Sequence, residues 1–262
     1  MAETAREQAA VARWKPGRHW YNPLMAAMTI RLCKFILTTM NTLVIDGEER
    51  FDALRERGGR GLLTYSNHVS LFDDPLITGC LRLGSYETLR WTATDALNFF
   101  SNRPKAWLFT VGKGVPVVRG SGSAQTGLGF LVERLREGQW VHIFPEGGRT
   151  RDPQSLMTPA FKPGIGRLMA EARPLVLPFY HHGMREVLPI GARRPRRGKT
   201  VHVLFGEAYD AADDVRERTE GDAALSGRAL SEALAARAHE RLRSLELRLH
   251  PAAADVEADV PA

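Results

Sequence analysis

Cysteine is scarce, and the two present stand alone: Cys33 and Cys80 sit in no C-x-x-C pattern and have no Cys or His at ligand spacing. Both read as small buried hydrophobes, which excludes a disulfide framework and a cysteine-based metal site. Long apolar runs are missing as well. No stretch reaches the roughly 18 uncharged apolar residues that a membrane-crossing helix needs. The start, Met1–Gly17, is polar with both signs of charge and does not fit a secretory signal. The sequence holds no internal repeat and no G-x-S-x-G elbow for a serine nucleophile. With 262 residues and 44% apolar content, the composition is that of one large globular domain.

What is present begins with charge. Residues 1–209 carry 29 Lys+Arg against 18 Asp+Glu, a formal +11, whereas the remainder carries 7 Arg against 12 acidic residues. A basic body with an acidic end suits an anionic partner, and charge alone does not separate nucleic acid from a phospholipid surface. Asn22–Val44 is mostly apolar, with Arg31, Lys34, Thr38 and Asn41 recurring on one helical seam. Two readings stand for this segment: a helix lying in a bilayer interface with Arg31 and Lys34 toward headgroups, or a helix packed on its own domain.

Beyond it, short β-rich runs (Leu43–Ile45, Leu62–Tyr65, Leu89–Thr92, Val115–Val118, Trp140–Phe144, Val176–Tyr180, Val201–Phe205) alternate with helical patterns. The helical stretches are Glu48–Arg57, Pro75–Leu83, Ala96–Leu108, Gln125–Arg136 and Ile165–Ala172, and Ser226–Leu249 reads as a long terminal helix. This rhythm predicts an α/β fold with a mostly parallel central sheet flanked by helices.

In such sheets ligands bind beyond the carboxyl ends of the strands, so the residues following each strand matter most. Leu62–Tyr65 is followed by Asn67, His68, Ser70, Asp73 and Asp74; Val115–Val118 by Arg119; Val141–Phe144 by Glu146, Gly147, Gly148 and Arg149; Val176–Tyr180 by His181 and His182. His68 and Asp73 are spaced so that a turn can bring the carboxylate to one ring nitrogen, leaving the other to take a proton from a substrate hydroxyl. Asp73 or Asp74 also suits the N-cap of a helix begun by Pro75. Glu146, the glycines, Arg149 and Arg119 would offer backbone N–H groups and guanidiniums to a phosphate. No metal site is expected, because the histidines lack H-x-x-x-H spacing.

The pair NHVSLFD (Asn67–Asp73, H-x4-D) and FPEGGR (Phe144–Arg149) resembles the glycerophospholipid acyltransferase family. VGKGVPVVRG (Val111–Gly120), SNHVSLFDDP and LPFYHHGMREVLP are similar to segments of the branch that exchanges acyl chains between phospholipids and lysophospholipids. The likeness covers about residues 60–208. It implies a glycerolphosphate-acyltransferase-like fold and a membrane-associated enzyme, on the cytoplasmic face, that moves a fatty acyl chain onto a lysophospholipid hydroxyl. In that reading His68 is the general base and Asp73 its orienting carboxylate. Asn67, Arg119, Glu146, Gly147 and Arg149 bind substrate, and neither cofactor nor nucleic acid takes part. Arg149 after FPEGG is closer to the pattern of relatives using acyl-CoA or acyl carrier protein on 1-acyl-glycerol-3-phosphate, so the donor stays open. A non-catalytic basic module binding lipid or nucleic acid, with Arg193–Lys199 as its main feature, is the competing class. The expected organisation is a polar segment 1–21, an amphipathic interface helix 22–44, a catalytic domain 45–209, a helical region 210–250 and a disordered tail 251–262.

Overall fold

The computed structural model describes residues 9–17, 19–74, 85–220 and 224–253. The predicted helix Pro75–Leu83, Cys80, most of the tail and part of the polar N-terminal segment lie outside the described residues.

Eight strands form one sheet: β1 (Thr42–Asp46), β2 (Leu62–Tyr65), β3 (Trp91–Asp95), β4 (Gly114–Val117), β5 (Trp140–Ile143), β6 (Leu175–His182), β7 (Thr200–Phe205) and β8 (Tyr209–Asp210). Their order is β1-β7-β6-β2-β5-β3-β4, with β8 paired to β6. β2 to β6 all run parallel, while β7 and β8 are antiparallel to β6 and β1 follows β7. The five parallel strands therefore present their carboxyl ends on one edge, as the strand-end reading requires.

Helices cover both faces, which is why β2 and β5 are buried along their whole length and their polar members, Thr64 and His142, bond to each other. On one face α3 (Thr126–Arg136), α4 (Gly164–Ala172), α5 (Ala211–Thr219) and α6 (Gly227–Leu249) enclose a core with Leu63, Tyr65, Val176 and Tyr180. On the other, α1 (Asn22–Thr38) and the short helix Glu48–Ala53, within the helical stretch expected at Glu48–Arg57, pack on Leu62, Leu177, Phe179 and Phe205. α4 and α6 approach so closely that a Cβ built on Gly166 would lie 1.8 Å from the Ser231 carbonyl oxygen. Only glycine fits there.

Several expected boundaries move. The interface helix ends at Thr38, and residues 42–44 belong to β1, so Asn41 leaves the seam and is buried, its side chain donating to the Ile36 carbonyl and accepting from Lys199 N–H. Ala96–Leu108 is not one helix: Asn102 caps a separate α2 (Arg103–Val111) by accepting the Lys105 N–H at 3.0 Å, with Pro104 in its first turn. His181 and His182 lie inside β6, not after it, because β7 extends the pairing of that strand to His182. The chain is still packed at Ala253, which is fully buried, so the expected tail does not begin at 251.

Candidate active site

β2 delivers its chain directly into Ser66-Asn67-His68, and the turn that follows folds back on Asp73. One carboxylate oxygen, Asp73 Oδ2, accepts from His68 Nδ1 at 2.9 Å and from the backbone N–H groups of Val69 at 2.7 Å and Ser70 at 2.8 Å. The carboxyl is fully buried. Burial alone would raise its pKa, but the neighbouring His181 and His68 imidazoles and the Ser70 N–H outweigh that and hold it below the usual range. An ionised Asp73 makes Nδ1 of His68 the donor and leaves Nε2 as the base. The ring stacks on Phe144 at 4.2 Å, which fixes its plane. Ser70 is fully buried and donates its hydroxyl to the Leu188 carbonyl at 3.0 Å, so the turn itself holds no poised nucleophile.

His68 lines a cavity of about 960 Å³ whose walls are mainly apolar. α1 contributes Met25, Ala26, Ile30, Cys33 and Ile36, and Phe72, Leu108, Phe109 and Leu128 add further apolar surface. Arg119, Gly147, Gly148 and Lys162 form a polar sector of the same wall. Arg119 is half-exposed and anchored by Nε to Asp95 Oδ2 at 2.7 Å, at the end of β3. Gly147 turns with φ +74°, and Cβ atoms built on the two glycines would meet Lys162 Cγ at 3.1 Å and Arg119 Nη1 at 3.5 Å. Bare backbone flanked by two cations is a fitting place for a phosphate.

The other sequence-predicted residues sit elsewhere. Glu146 is buried, and its two oxygens accept the backbone N–H groups of His68 at 2.7 Å and Thr158 at 2.9 Å. Burial pushes its carboxyl up to about 7. With the Thr150 N–H donating to the His68 carbonyl at 2.8 Å, residues 146–150 hold the main chain of the base at both ends. Asn67 is likewise buried and brackets β2 to β6 through His181. Arg149 is exposed and does not line the cavity. Lys162 escaped the sequence reading; the signal for it is F-K-P-G at the start of α4, which brings a lysine beside the FPEGG turn. Below the site, His142 accepts or donates at Nδ1 with Thr64 Oγ1 (2.9 Å), and burial lowers its pKa to about 3, so it stays neutral. Among the described residues no cluster of His, Cys, Asp or Glu is arranged to hold a metal ion.

Known proteins are similar to this chain. Tafazzin of Drosophila melanogaster is 33% identical over 217 residues, covering 78% of this chain and 56% of that one. Taffazin of Dictyostelium discoideum is 36% identical over 190 residues, covering 67% and 65%. N-acylphosphatidylethanolamine synthase of Arabidopsis thaliana is 34% identical over 163 residues, covering 58% and 57%. The chain spans less than two thirds of the length of each of these relatives. The crystal structure of the 1-acyl-sn-glycerophosphate (LPA) acyltransferase PlsC from Thermotoga maritima has the same fold, with a TM-score of 0.59 at 19% identity over 100% of this chain and 85% of that one. A family model described as Acyltransferase matches residues 43–182, from β1 to the end of β6. Because that span takes in the His68–Asp73 turn, Arg119 and the Glu146–Gly148 turn together, the chain belongs to the Acyltransferase family.

Proposed function

We propose that the chain is a tafazzin-like transacylase that moves a fatty acyl chain from an intact phospholipid onto a lysophospholipid hydroxyl, and so remodels phospholipids. The observation that carries this reading is a His–Asp pair, without a protein nucleophile beside it, on the wall of a large apolar cavity. In the proposed reaction His68 Nε2 takes the proton of the acceptor hydroxyl, and that oxygen attacks the acyl carbonyl carbon. The new ester C–O bond forms, the bond to the donor's glycerol oxygen breaks, and His68 returns the proton to the departing oxygen. Asp73 holds the tautomer and stabilises the imidazolium throughout. Arg119 and Lys162 receive a phosphate beside Gly147 and Gly148. The apolar wall holds acyl carbons, each buried CH₂ being worth about 0.8 kcal/mol. Glu146 and Asn67 act through the main chain of residues 67–68, and Arg149 meets headgroups outside the cavity.

The membrane contact in this reading is α1. While Cys33, Ile36 and Leu37 face the core, Leu24, Met28, Leu32 and Phe35 are exposed on the same helix, flanked by exposed Arg31 and Lys34. Trp20, 88% exposed, and Trp107 on α2 extend that apolar surface. One side of the helix is thus packed on its own domain, and the exposed apolar side is the one this reading sets against the bilayer. No described helix is long and apolar enough to cross a membrane, and in this reading α1 rests along the bilayer surface on its exposed apolar side. The basic body favours the anionic cytoplasmic leaflet. Purified protein mixed with vesicles of one labelled phospholipid and one lysophospholipid, without CoA, tests the function: labelled acyl chains should appear on the acceptor. Strict dependence on acyl-CoA or acyl carrier protein would instead assign the 1-acyl-glycerol-3-phosphate type of reaction, with the same His68 and Asp73.

A further inference from the structure

Asp73 lies between two imidazoles. His68 Nδ1 is 2.9 Å from Oδ2, and His181 Nε2 is 3.8 Å from the same oxygen. His181 is fully buried in β6 and takes no part in the wall of the large cavity. Three of its hydrogen bonds go to the residue preceding the base. Asn67 Nδ2 donates to the His181 carbonyl at 2.9 Å, the His181 N–H donates to Asn67 Oδ1 at 3.0 Å, and the ring Nε2 meets the Asn67 carbonyl at 3.1 Å. A carbonyl oxygen only accepts, so Nε2 carries the proton. Burial lowers the pKa of this ring, which keeps it neutral and leaves Nδ1 as a bare acceptor. Nδ1 has no hydrogen-bond partner among the described residues, and His181 lines a second cavity of about 370 Å³ with Val69 and Arg185. The cavity is roomy enough for water to serve that nitrogen.

We propose that His181 is a positioning residue for acyl transfer: its Nε2–H fixes the main chain of Asn67 and His68 and sets a partial positive charge beside the Asp73 carboxylate, which tunes the basicity of His68. The inference rests on the reading of the chain as a His68-dependent acyltransferase. A packing role alone would be met by an apolar ring, whereas here the polar edge is spent on the residue that leads into the base. The other titratable or charged groups around the pair are Glu146 after β5, His142 within β5, the Asp74–Arg90 ion pair, and His182 beside His181.

The test compares His181→Leu with His181→Gln, whose amide N–H can stand near the position of Nε2–H. His181→Leu should lower kcat about tenfold to a hundredfold with KM for lysophospholipid nearly unchanged, the usual scale for removing a group that orients a catalytic one. Without the donor, Asp73 presents more negative charge to His68, stabilises its imidazolium, and moves the acid limb of kcat/KM upward by about half a pH unit. His181→Gln should recover most of kcat and return the limb toward wild type. A second readout needs no turnover: carbethoxylation of His68 by diethyl pyrocarbonate, followed by peptide mass spectrometry across pH, reports its titration in the folded protein. If His68 titrates higher in the Leu variant than in wild type and the Gln variant while wild type transfers no acyl chain, the functional reading fails and only the action of His181 on His68 stands. Identical His68 titration in all three proteins, with Leu and Gln equally active or equally impaired, overturns the proposal. Should circular dichroism show the Leu variant unfolded, His181→Asn replaces it, because its shorter amide matches Nδ1 and should behave as the loss.

Discussion

The turn at residues 67–73 and the loop at 145–163 both bound the cavity, yet they are held in opposite ways. Within the turn the carboxylate is served locally: Asp73 collects its donors from His68, Val69 and Ser70 within five residues of chain. The loop borrows its shape from the far end of the protein. Glu246 on α6, fully buried, accepts the Met157 N–H at 2.8 Å and the Tyr180 hydroxyl at 3.2 Å, while Arg243 donates to its other oxygen. On the same helix the His239 ring meets the Thr158 carbonyl at 2.9 Å, and just beyond it His250 meets the Gln154 carbonyl at 2.8 Å. Thr158 in turn donates to Glu146, which holds His68. A local device thus orients the imidazole of His68, and a long-range one reaches its main chain through Thr158 and Glu146.

The sharpest way to probe the local device is to remove the base. His68→Ala should cost about 10² to 10⁴ in turnover, the range for losing a general base, together with a lower thermal midpoint, because it removes the ring stacked on Phe144 and a hydrogen-bond partner of the buried Asp73 carboxylate. Asp73→Asn should approach the same loss through the wrong tautomer, and steady-state kinetics on vesicles measures both. The long-range device breaks differently. Glu246→Ala leaves the Met157 N–H and the Tyr180 hydroxyl unpaired and takes the carboxylate from Arg243, and should cost about 3 kcal/mol of stability, read by denaturant unfolding. Activity should fall with it even though α6 lines no part of the catalytic turn.

Glu146 joins the two regions and should show itself in pH. Its folded carboxyl keeps a proton up to about 7, whereas the unfolded one loses it near 4.5. Between those values the folded state binds more protons, so stability falls as pH rises through the window, by an upper bound of about 3 kcal/mol. Glu146→Gln should flatten that slope in thermal unfolding from pH 4 to 8; an unchanged slope would assign it to other groups. Smaller still are the cationic effects. Arg119→Ala and Lys162→Ala should each raise KM for lysophospholipid several-fold more than they change kcat, and Arg149→Ala should do neither. Arg31→Glu with Lys34→Glu should weaken binding to anionic vesicles by about 1 kcal/mol per charge removed, read by co-sedimentation.

The contrast also explains what could be read from the chain alone. The parallel sheet, the convergence of strand ends and the His68–Asp73 pairing follow from local pattern: apolar strands, turn residues and a spacing of five. Asn67 and Glu146 stood out for the same reason, but which way a polar side chain turns depends on partners far away, His181 and Thr158, and both became brackets under the site. Lys162 was invisible because its relevance comes from the return of the loop past Gly147. The helix expected over 22–44 and the β-rich run Leu43–Ile45 overlapped in the sequence, and pairing with β7, some 158 positions away, decides for the strand.

The central claim, that His68 drives acyl exchange between two lipids, is tested most directly by mass spectrometry of vesicles holding an acyl-labelled phospholipid and an unlabelled lysophospholipid, without CoA, incubated with wild type or His68→Ala. The account predicts labelled acceptor phospholipid with wild type and none above background with folded His68→Ala. Equal transfer by both proteins would contradict it.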